Sequence, residues 1–171
     1  MNHAVVPRVD LTLVLPARWE SVPDARAATL RVLEAAFHRG APDEYVGMIV
    51  SELLENAVRY GDWAGLAEGA RTMRLGVHGD PTTLVVEVES PSSPARTDTL
   101  ARTLEWMATF PTPRHAYEAR VLALADDAAS PDVSRLGLVR IAAEGRCEIE
   151  AELDPSMILH VRAIVRPGRK P

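Results

Sequence analysis

The sequence predicts an α+β fold, a two-layer sandwich in which helices cover one face of a mostly antiparallel, mixed sheet. Three observations predict this class. Short segments with alternating apolar residues come in neighbouring pairs, longer segments with helical periodicity lie between the pairs, and no internal repeat interrupts this order. The 171 residues fit a single domain, and 47% hydrophobic with 25% charged residues is a globular balance rather than a disordered one.

The first half of the chain predicts a strand, two helices and a hairpin. Pro16 ends the first strand, and residues 21–24 carry a helix-start signal with a proline in the first turn. Gly40 suits the position after the first helix, and Gly61 ends the second helix. The predicted elements are a strand over 11–15, helices over 21–40 and 42–61, and strands over 73–77 and 84–88 joined by a turn over 79–81.

The second half predicts a loop, three helical stretches and a final hairpin. Residues 90–98 are rich in Ser, Pro and Thr and predict a loop. Pro111 and Pro113 separate the two helical stretches that follow this loop. The remaining predicted elements are helices over 100–107, 117–124 and 136–143, and strands over 147–153 and 158–165 joined by a turn over 154–156.

Composition argues against several classes of protein. A net charge of −5 and the lack of a long basic stripe argue against a nucleic-acid partner. Cys147 is the only cysteine, so an intramolecular disulfide is impossible. No segment predicts a signal peptide or a membrane span, so we expect no membrane partner and a cytoplasmic location.

The most informative stretch is residues 49–61, because it directs two polar groups toward the apolar side of a helix. Glu52 and Asn56 lie four residues apart and therefore point the same way. The apolar residues that point there with them are Ile49, Leu53, Ala57 and Tyr60. A polar group buried without a partner costs roughly 1–3 kcal/mol, so the pair needs an explanation. A bound metal and phosphate would supply one.

Residues 51–61, SELLENAVRYG, resemble the N-box of the GHKL ATPase superfamily, which includes gyrase B, Hsp90, sensor histidine kinases and the MutL repair proteins. The strongest resemblance is to the small anti-sigma-factor serine kinases of bacterial partner-switching systems, whose N-box reads much like ELxxNAxxHG. The order of predicted elements is similar to theirs over nearly the whole chain. The resemblance implies the histidine-kinase-like (Bergerat) fold, with ATP and Mg²⁺ as cofactors.

The resemblance also implies roles for the N-box residues. In the superfamily the Glu activates a water or an attacking hydroxyl, which gives the catalytic role to Glu52. The Asn binds Mg²⁺ beside the nucleotide phosphates, and Asn56 occupies its place. Mg²⁺ prefers hard oxygen ligands and keeps several waters, so one amide oxygen together with phosphates suffices. Tyr60 replaces the family's His and does not titrate near neutral pH.

Residues 134–141, SRLGLVRI, are similar to the second glycine box of the superfamily. The resemblance makes Gly137 and Leu138 contacts of the nucleotide phosphates, at a helix start whose free N–H groups favour anions. Arg135 stands where the family prefers its first glycine. Its side chain could contact a phosphate or fill the space that a phosphate needs, and the sequence leaves both open.

The adenine-binding motif of the superfamily, Asp-x-Gly-x-Gly, is degenerate in this chain. Ser90 replaces the aspartate that reads the adenine amino group, so a weak, uncharged contact to the base is all that remains. Ser92 and Pro94 replace the glycines, and proline removes an N–H and fixes φ. The family's flexible ATP lid corresponds to residues 95–130, which contain no glycine and predict two helices packed over the pocket.

Each site residue also has a purely structural interpretation. Glu52 fits the edge of the apolar stripe, with a salt bridge to Arg59 or to another helix. Asn56 fits a satisfied core amide that holds a loop. Gly137 fits a close-packed helix start, and Ser90 fits a plain loop residue.

Three functions are compatible with the sequence. The favoured one is a regulatory signalling protein, a pseudokinase with a remnant or weak nucleotide site. It would bind a STAS-type antagonist, a response regulator or a sigma factor through its sheet edge or lid helices.

The second is an active ATP- and Mg-dependent serine/threonine kinase of the anti-sigma-factor type. The intact Glu–Asn pair favours this function, whereas the degenerate glycine box favours weak or no activity. The third is an unrelated α+β scaffolding domain. Superfamily members often pair, so a homodimer is a further expectation.

Overall fold

The computed structural model of the protein describes residues 6–37, 43–126 and 136–166. Within these ranges the chain forms five strands and five α-helices, as the predicted α+β sandwich requires. In chain order they are β1 (Val9–Pro16), α1 (Ser21–Phe37), α2 (Asp43–Tyr60), β2 (Thr72–Asp80), β3 (Thr83–Pro91), α3 (Pro94–Ala108), α4 (Pro113–Asp126), α5 (Leu136–Glu144), β4 (Cys147–Leu153) and β5 (Ile158–Val165), with a short 3₁₀ turn over Glu68–Ala70.

The strands form one sheet in the order β1-β2-β3-β5-β4, and every neighbouring pair is antiparallel. The register places apolar residues opposite each other on one face, for example Leu75 with Val88. The other face carries polar partners, for example Arg74 with Glu89. This alternation is what a sheet with one covered and one solvated face requires. The predicted two-layer sandwich is therefore confirmed.

The core lies between the apolar face of the sheet and helix α2. The α2 residues in the core cluster are Val46, Ile49, Val50, Leu53, Leu54 and Ala57, all of them buried. Strand residues such as Leu75, Val77 and Val86 meet them from below and are fully buried as well. The inward-facing stripe predicted on this helix is therefore confirmed for Ile49, Leu53 and Ala57, and it fixes which way Glu52 and Asn56 point. Tyr60, the last predicted member of the stripe, is 43% exposed, because it lies at the end of the helix.

The predicted loop over residues 90–98 is wrong. Strand β3 continues to Pro91, with Ser90 opposite Leu159 of β5, and helix α3 begins at Pro94. A proline in the first turn of a helix loses no hydrogen bond, because the N–H groups there lack an intrahelical partner. The stretch rich in Ser, Pro and Thr is therefore the junction between β3 and α3, and only two residues separate the strand from the helix.

The first hairpin turn is also displaced from its prediction. Strand β2 extends through Asp80, so the turn lies at residues 81–82. The Asp80 carboxylate closes it, since Oδ1 accepts hydrogen bonds from the backbone N–H groups of Thr82 and Thr83 at 2.8 and 3.1 Å. Such a side-chain turn is typical of Asp. The predicted end of the first helix, at Gly40, and the predicted start of the second, at residue 42, lie outside the described residues.

Candidate functional site

Helices α2 and α5 bring three of the predicted site residues together. Gly137 opens the first turn of α5 directly against α2. A Cβ atom on Gly137 would overlap Oε2 of Glu52 and would lie 3.9 Å from Nδ2 of Asn56. The N-box segment and the second glycine segment therefore meet in space, although 81 positions separate Asn56 from Gly137 in the chain.

Glu52 forms an ion pair across this helix contact. Its Oε1 lies 3.4 Å from Nη1 of Arg140 on α5, and the Arg140 Nε donates to Glu144 at 3.0 Å. Burial raises the pKa of Glu52, repulsion from Glu55 raises it further, and Arg140 offsets part of the rise. The salt bridge that the structural interpretation allowed therefore exists, and its partner is on another helix rather than Arg59.

The amide nitrogen of Asn56 is buried and has no partner in the part of the chain that the structure describes. Among the described residues, no hydrogen bond reaches Nδ2, and the atom is shielded from solvent. The interpretation of Asn56 as a satisfied core amide is therefore not supported by these residues. Buried polar groups are nearly always paired, so an unpaired one adjoining a cavity indicates a place for a bound group.

A cavity of about 430 Å³ lies beside Asn56, between helix α2, strands β3 and β5, and helix α3. Its volume falls in the range of small-molecule sites, roughly 300–1,000 Å³. The apolar lining residues are Leu53, Ala57, Val88, Ala95, Leu100, Leu138, Leu159 and Val161. The polar lining residues are Asn56, Arg59, Tyr60, Ser90, Ser92, Arg96, Thr99 and Thr103, and Gly61 completes the wall.

The predicted site residues stand in three different relations to this cavity. Asn56, Ser90 and Leu138 line it. Glu52 and Gly137 lie beside Asn56 and do not line it. Arg135 lies outside the described residues, so its two alternatives stay open. Ser90 is buried and strand-paired, which corrects its interpretation as a loop residue.

The residues of the cavity fit the phosphate end of a nucleotide in part and do not fit its base end. At the α5 end, the unpaired amide nitrogen of Asn56 is a donor for a phosphate oxygen, and the oxygen of the same amide is the kind of ligand that Mg²⁺ prefers. The space beside Gly137 is filled by the Glu52 carboxylate. At the β3 end, the described lining residues include no carboxylate, and Ser90 stands where an adenine-reading acid is needed. The donor set therefore suits an anion beside Asn56 and lacks the partner of an adenine base.

Arg96 closes the cavity by fastening helix α3 to the end of helix α2. Its Nη1 donates to the backbone oxygens of Tyr60 and Gly61 at 2.6 and 2.5 Å, and Nη2 lies 3.9 Å from Asp62. A cation at the C-terminal end of a helix satisfies free carbonyl groups and the helix dipole. Sequence reasoning missed this residue, because its partners lie about 35 positions earlier and leave no local signal.

Trp63 supports the same helix end from the outside. Its indole Nε1 donates to the backbone oxygens of Ala57 and Val58, both at 3.2 Å. A Cβ on Gly61 would overlap this indole ring, so glycine is needed at that position for close packing. The end of α2 is thus held by two side chains, one from each side.

Comparison with known proteins adds to the description of the fold. No protein-family model matches the chain, and no curated protein matches it either. Among solved structures, a chain in the crystal structure of the SiaB-SiaC complex from Pseudomonas aeruginosa matches with a TM-score of 0.65. The match covers 91% of this chain and 88% of that chain at 15% sequence identity. At this identity the two chains share a fold, and the GHKL resemblance stays a prediction.

The solved neighbour is a complex of two proteins, so this fold occurs in a protein that binds another. Among the described helices, none combines the length and the apolar character needed to cross a membrane.

Proposed function

We propose that the protein is a regulatory signalling protein on the histidine-kinase-like ATPase scaffold, which acts by binding a partner protein and keeps only a remnant nucleotide site. The observation that carries the proposal is the wall of the cavity formed by β3 and α3. Ser90, Ser92 and Pro94 stand where the superfamily has an acid and two glycines, and Arg96 fastens α3 to α2. With Ser90 in place of the acid, an adenine base in this cavity would have no carboxylate partner, and the contact made by Arg96 keeps α3 over the cavity.

The fold likeness to a chain solved in a two-protein complex supports a protein partner. We propose a STAS-type antagonist as that partner, with a response regulator and a sigma factor as the other outcomes of the test. Two exposed apolar side chains mark the surfaces on which such a partner would dock. Val14 lies on the edge strand β1 and Leu122 lies on α4 in the lid region, and each is 67% exposed.

Calorimetric titration with Mg-ATP tests the remnant site. We expect no saturable binding in the micromolar range, because the base end of the cavity lacks its acid. A micromolar dissociation constant that Asn56→Ala abolishes would overturn this part of the proposal. Thr12→Ala, on the exposed side of β1, is the control for unspecific effects of a substitution.

Titration with purified STAS-domain proteins, response regulators and sigma factors of the same genome tests the partner. We expect one of them to form a complex with a dissociation constant at or below the micromolar range. Val14→Glu and Leu122→Glu place the same charge at equal exposure, so each is the matched control of the other. Loss of binding in one variant alone assigns the docking surface, and binding unchanged in both contradicts docking at either place.

An active kinase is the second candidate, and the helix contact at Gly137 favours it. A carboxylate with a raised pKa beside an unpaired amide is a suitable general base next to a phosphate site. Transfer of labelled phosphate from ATP to the partner, lost in Glu52→Gln, would establish this function. Absence of transfer at millimolar Mg-ATP would leave the regulatory proposal in place.

A further inference from the structure

A second cavity of about 330 Å³ adjoins the first one along helix α3, where α3 meets α4 and α5. Its lining residues are Thr99, Arg102, Thr103, Trp106, Arg120 and Val139. Thr99 and Thr103 line the first cavity as well, so the two spaces are neighbours on one face of α3. Among the described residues, the charged groups of this lining are two arginines and include no carboxylate.

Arg120 contributes a buried, unpartnered nitrogen to this cavity. Its Nε is shielded from solvent and has no hydrogen-bond partner among the described residues, although the side chain as a whole is half-buried. Neither Arg120 nor the exposed Arg102 forms a salt bridge with any described acid. Among the described acids, Glu118 pairs with Arg114 at 2.9 Å and Glu105 faces solvent. A buried N–H group without an acceptor is costly, so Nε of Arg120 is a free donor at the cavity.

The hydroxyl groups of the two threonines already donate to backbone oxygens, so the arginines supply the free donors of this cavity. Thr99 donates its hydroxyl to the backbone oxygen of Ala95, and Thr103 donates to that of Thr99, each at 3.0 Å. Arg102 reaches Thr99 Oγ1 only at 3.4 Å, which is a weak contact that a stronger acceptor would replace. The cavity therefore offers guanidinium donors from two helices and needs an acceptor with several oxygens.

We propose that the Arg102–Arg120 cavity is an anion site for a phosphate group. A guanidinium presents its donors in a planar fork that matches the oxygens of a phosphate, and two forks from different helices enclose a tetrahedral group. A cation is disfavoured, because none of the described residues that line the cavity is a carboxylate. The site lies apart from Asn56 and Gly137, so it does not depend on the proposed function or on a nucleotide in the first cavity.

Titration of the full chain with inorganic phosphate, against sodium chloride at equal ionic strength, tests the site. We expect saturable binding with a change in Trp106 fluorescence, because the indole lines the cavity. Arg102→Gln and Arg120→Met should each weaken the affinity at least about tenfold, as loss of a charge-assisted hydrogen bond does. Arg114→Gln, an exposed arginine of the same helix as Arg120, should bind within about twofold of the wild type.

Two further measurements distinguish free phosphate from a phosphorylated side chain, and the second cavity from the first. O-phosphoserine binding tighter than inorganic phosphate, with serine inactive, identifies a phosphorylated side chain as the ligand, and the reverse order identifies free phosphate. Arg59→Gln alters the first cavity only and should leave binding unchanged. Loss of binding in Arg59→Gln alone would overturn the proposal, because the phosphate would then lie in the first cavity.

Melting temperatures of the wild type and of Arg120→Met provide a second test, which does not require tight binding. Without phosphate, Arg120→Met should raise the melting temperature, since it removes a buried N–H group without an acceptor and keeps an apolar stem. With phosphate, the wild type should gain stability and Arg120→Met should not. An Arg120→Met protein that melts lower than the wild type without phosphate, or a wild type that phosphate does not stabilise over chloride, overturns the proposal.

Discussion

The carboxyl group of Glu52 lies between two helices, and its surroundings have opposing effects on its pKa. Burial and the nearby Glu55 favour the neutral acid, whereas Arg140 favours the carboxylate, and the pKa is raised as the net result. The same side chain fills the space that a Cβ on Gly137 would need. One residue thus couples the acid chemistry of the site to the fit between α2 and α5.

The raised pKa of Glu52 predicts a pH-dependent effect of Glu52→Gln on stability. The folded state keeps this proton where the unfolded chain has lost it, so Glu52 costs stability as pH rises above about 4.5. We therefore expect Glu52→Gln to be more stable than the wild type at pH 7, by less than about 1 kcal/mol because solvent screens a half-buried group. Urea unfolding at pH 4 and pH 7 measures the difference, which should vanish at the lower pH.

A control for charge removal is Glu118→Gln, since Glu118 is 54% exposed in its ion pair with Arg114. Its effect should be small at both pH values. A Glu52→Gln protein that is less stable than the wild type at pH 7 would mean that the Arg140 ion pair outweighs the cost of burial.

Gly61→Ala should destabilise the protein by about 1–3 kcal/mol, the usual cost of overpacking. The new Cβ would overlap the Trp63 indole, which must then leave its hydrogen bonds to the end of α2. Urea unfolding followed by tryptophan fluorescence measures the loss. Gly69→Ala is the matched control, because a Cβ there meets nothing within 4 Å.

Sequence reasoning at the residue scale succeeded where the signal was periodic. Helical spacing placed Glu52 and Asn56 on the inner side of α2, because the positions of the apolar neighbours fix that direction. Arg140 and Arg96 were missed as partners, since each acts on residues far away in the chain and only the folded arrangement brings them together.

Helix α3 forms the shared element of the site region, because it covers the first cavity and is bound to the end of α2. The contact is made by one guanidinium on two backbone oxygens. Apart from it, α3 contributes few buried groups, and none of its side chains is fully buried. The closure of the cavity therefore depends strongly on Arg96.

Arg96→Gln should loosen α3 and lower the free energy of unfolding by about 1.5 kcal/mol, the lower end of the range for hydrogen bonds to charged groups, because the Arg96 side chain is 47% exposed. Hydrogen exchange measured by mass spectrometry should become faster in peptides that cover Pro94–Ala108. Arg114→Gln removes an arginine that is 83% exposed and should leave that exchange unchanged. Equal exchange in wild type and Arg96→Gln would contradict the role of this contact.

Element prediction was accurate for the final hairpin, misplaced the turn of the first hairpin, and failed at the β3–α3 junction. The final strands, Cys147–Leu153 and Ile158–Val165, were predicted with their observed bounds, because alternation and a turn signal coincide there. At residues 90–98 the composition is that of a loop, yet cross-strand pairing with β5 extends β3 and Pro94 starts a helix. Pairing partners distant in sequence decided the outcome, and local composition does not contain them.

At the scale of the whole molecule, the sheet and its helices form one core that includes both ends of the described chain. Cys147 belongs to this core: it begins β4, and its Sγ donates to the backbone oxygen of Ile141 at 3.3 Å. Burial raises the pKa of the thiol to about 12. The α+β architecture predicted from element order is confirmed, whereas the partner and the nucleotide cannot be deduced from a fold that is shared at 15% identity.

Cys147 should therefore report global unfolding. Without denaturant we expect a thiol reagent to modify it at least roughly a thousandfold more slowly than a free cysteine, because the thiolate forms only after the core opens. Reaction rates measured across a urea series should rise in step with the loss of tryptophan signal. Fast modification of the native protein would mean that α5 and β4 separate on their own.

Because Thr99 and Thr103 line both cavities, the two spaces adjoin on one face of α3. A ligand that shifts either threonine in one cavity changes the room left in the other. Thermodynamic linkage then requires the influence to be equal in both directions. An anion held between two arginines would thus tune the occupant next to Asn56, and that occupant would tune the anion in return.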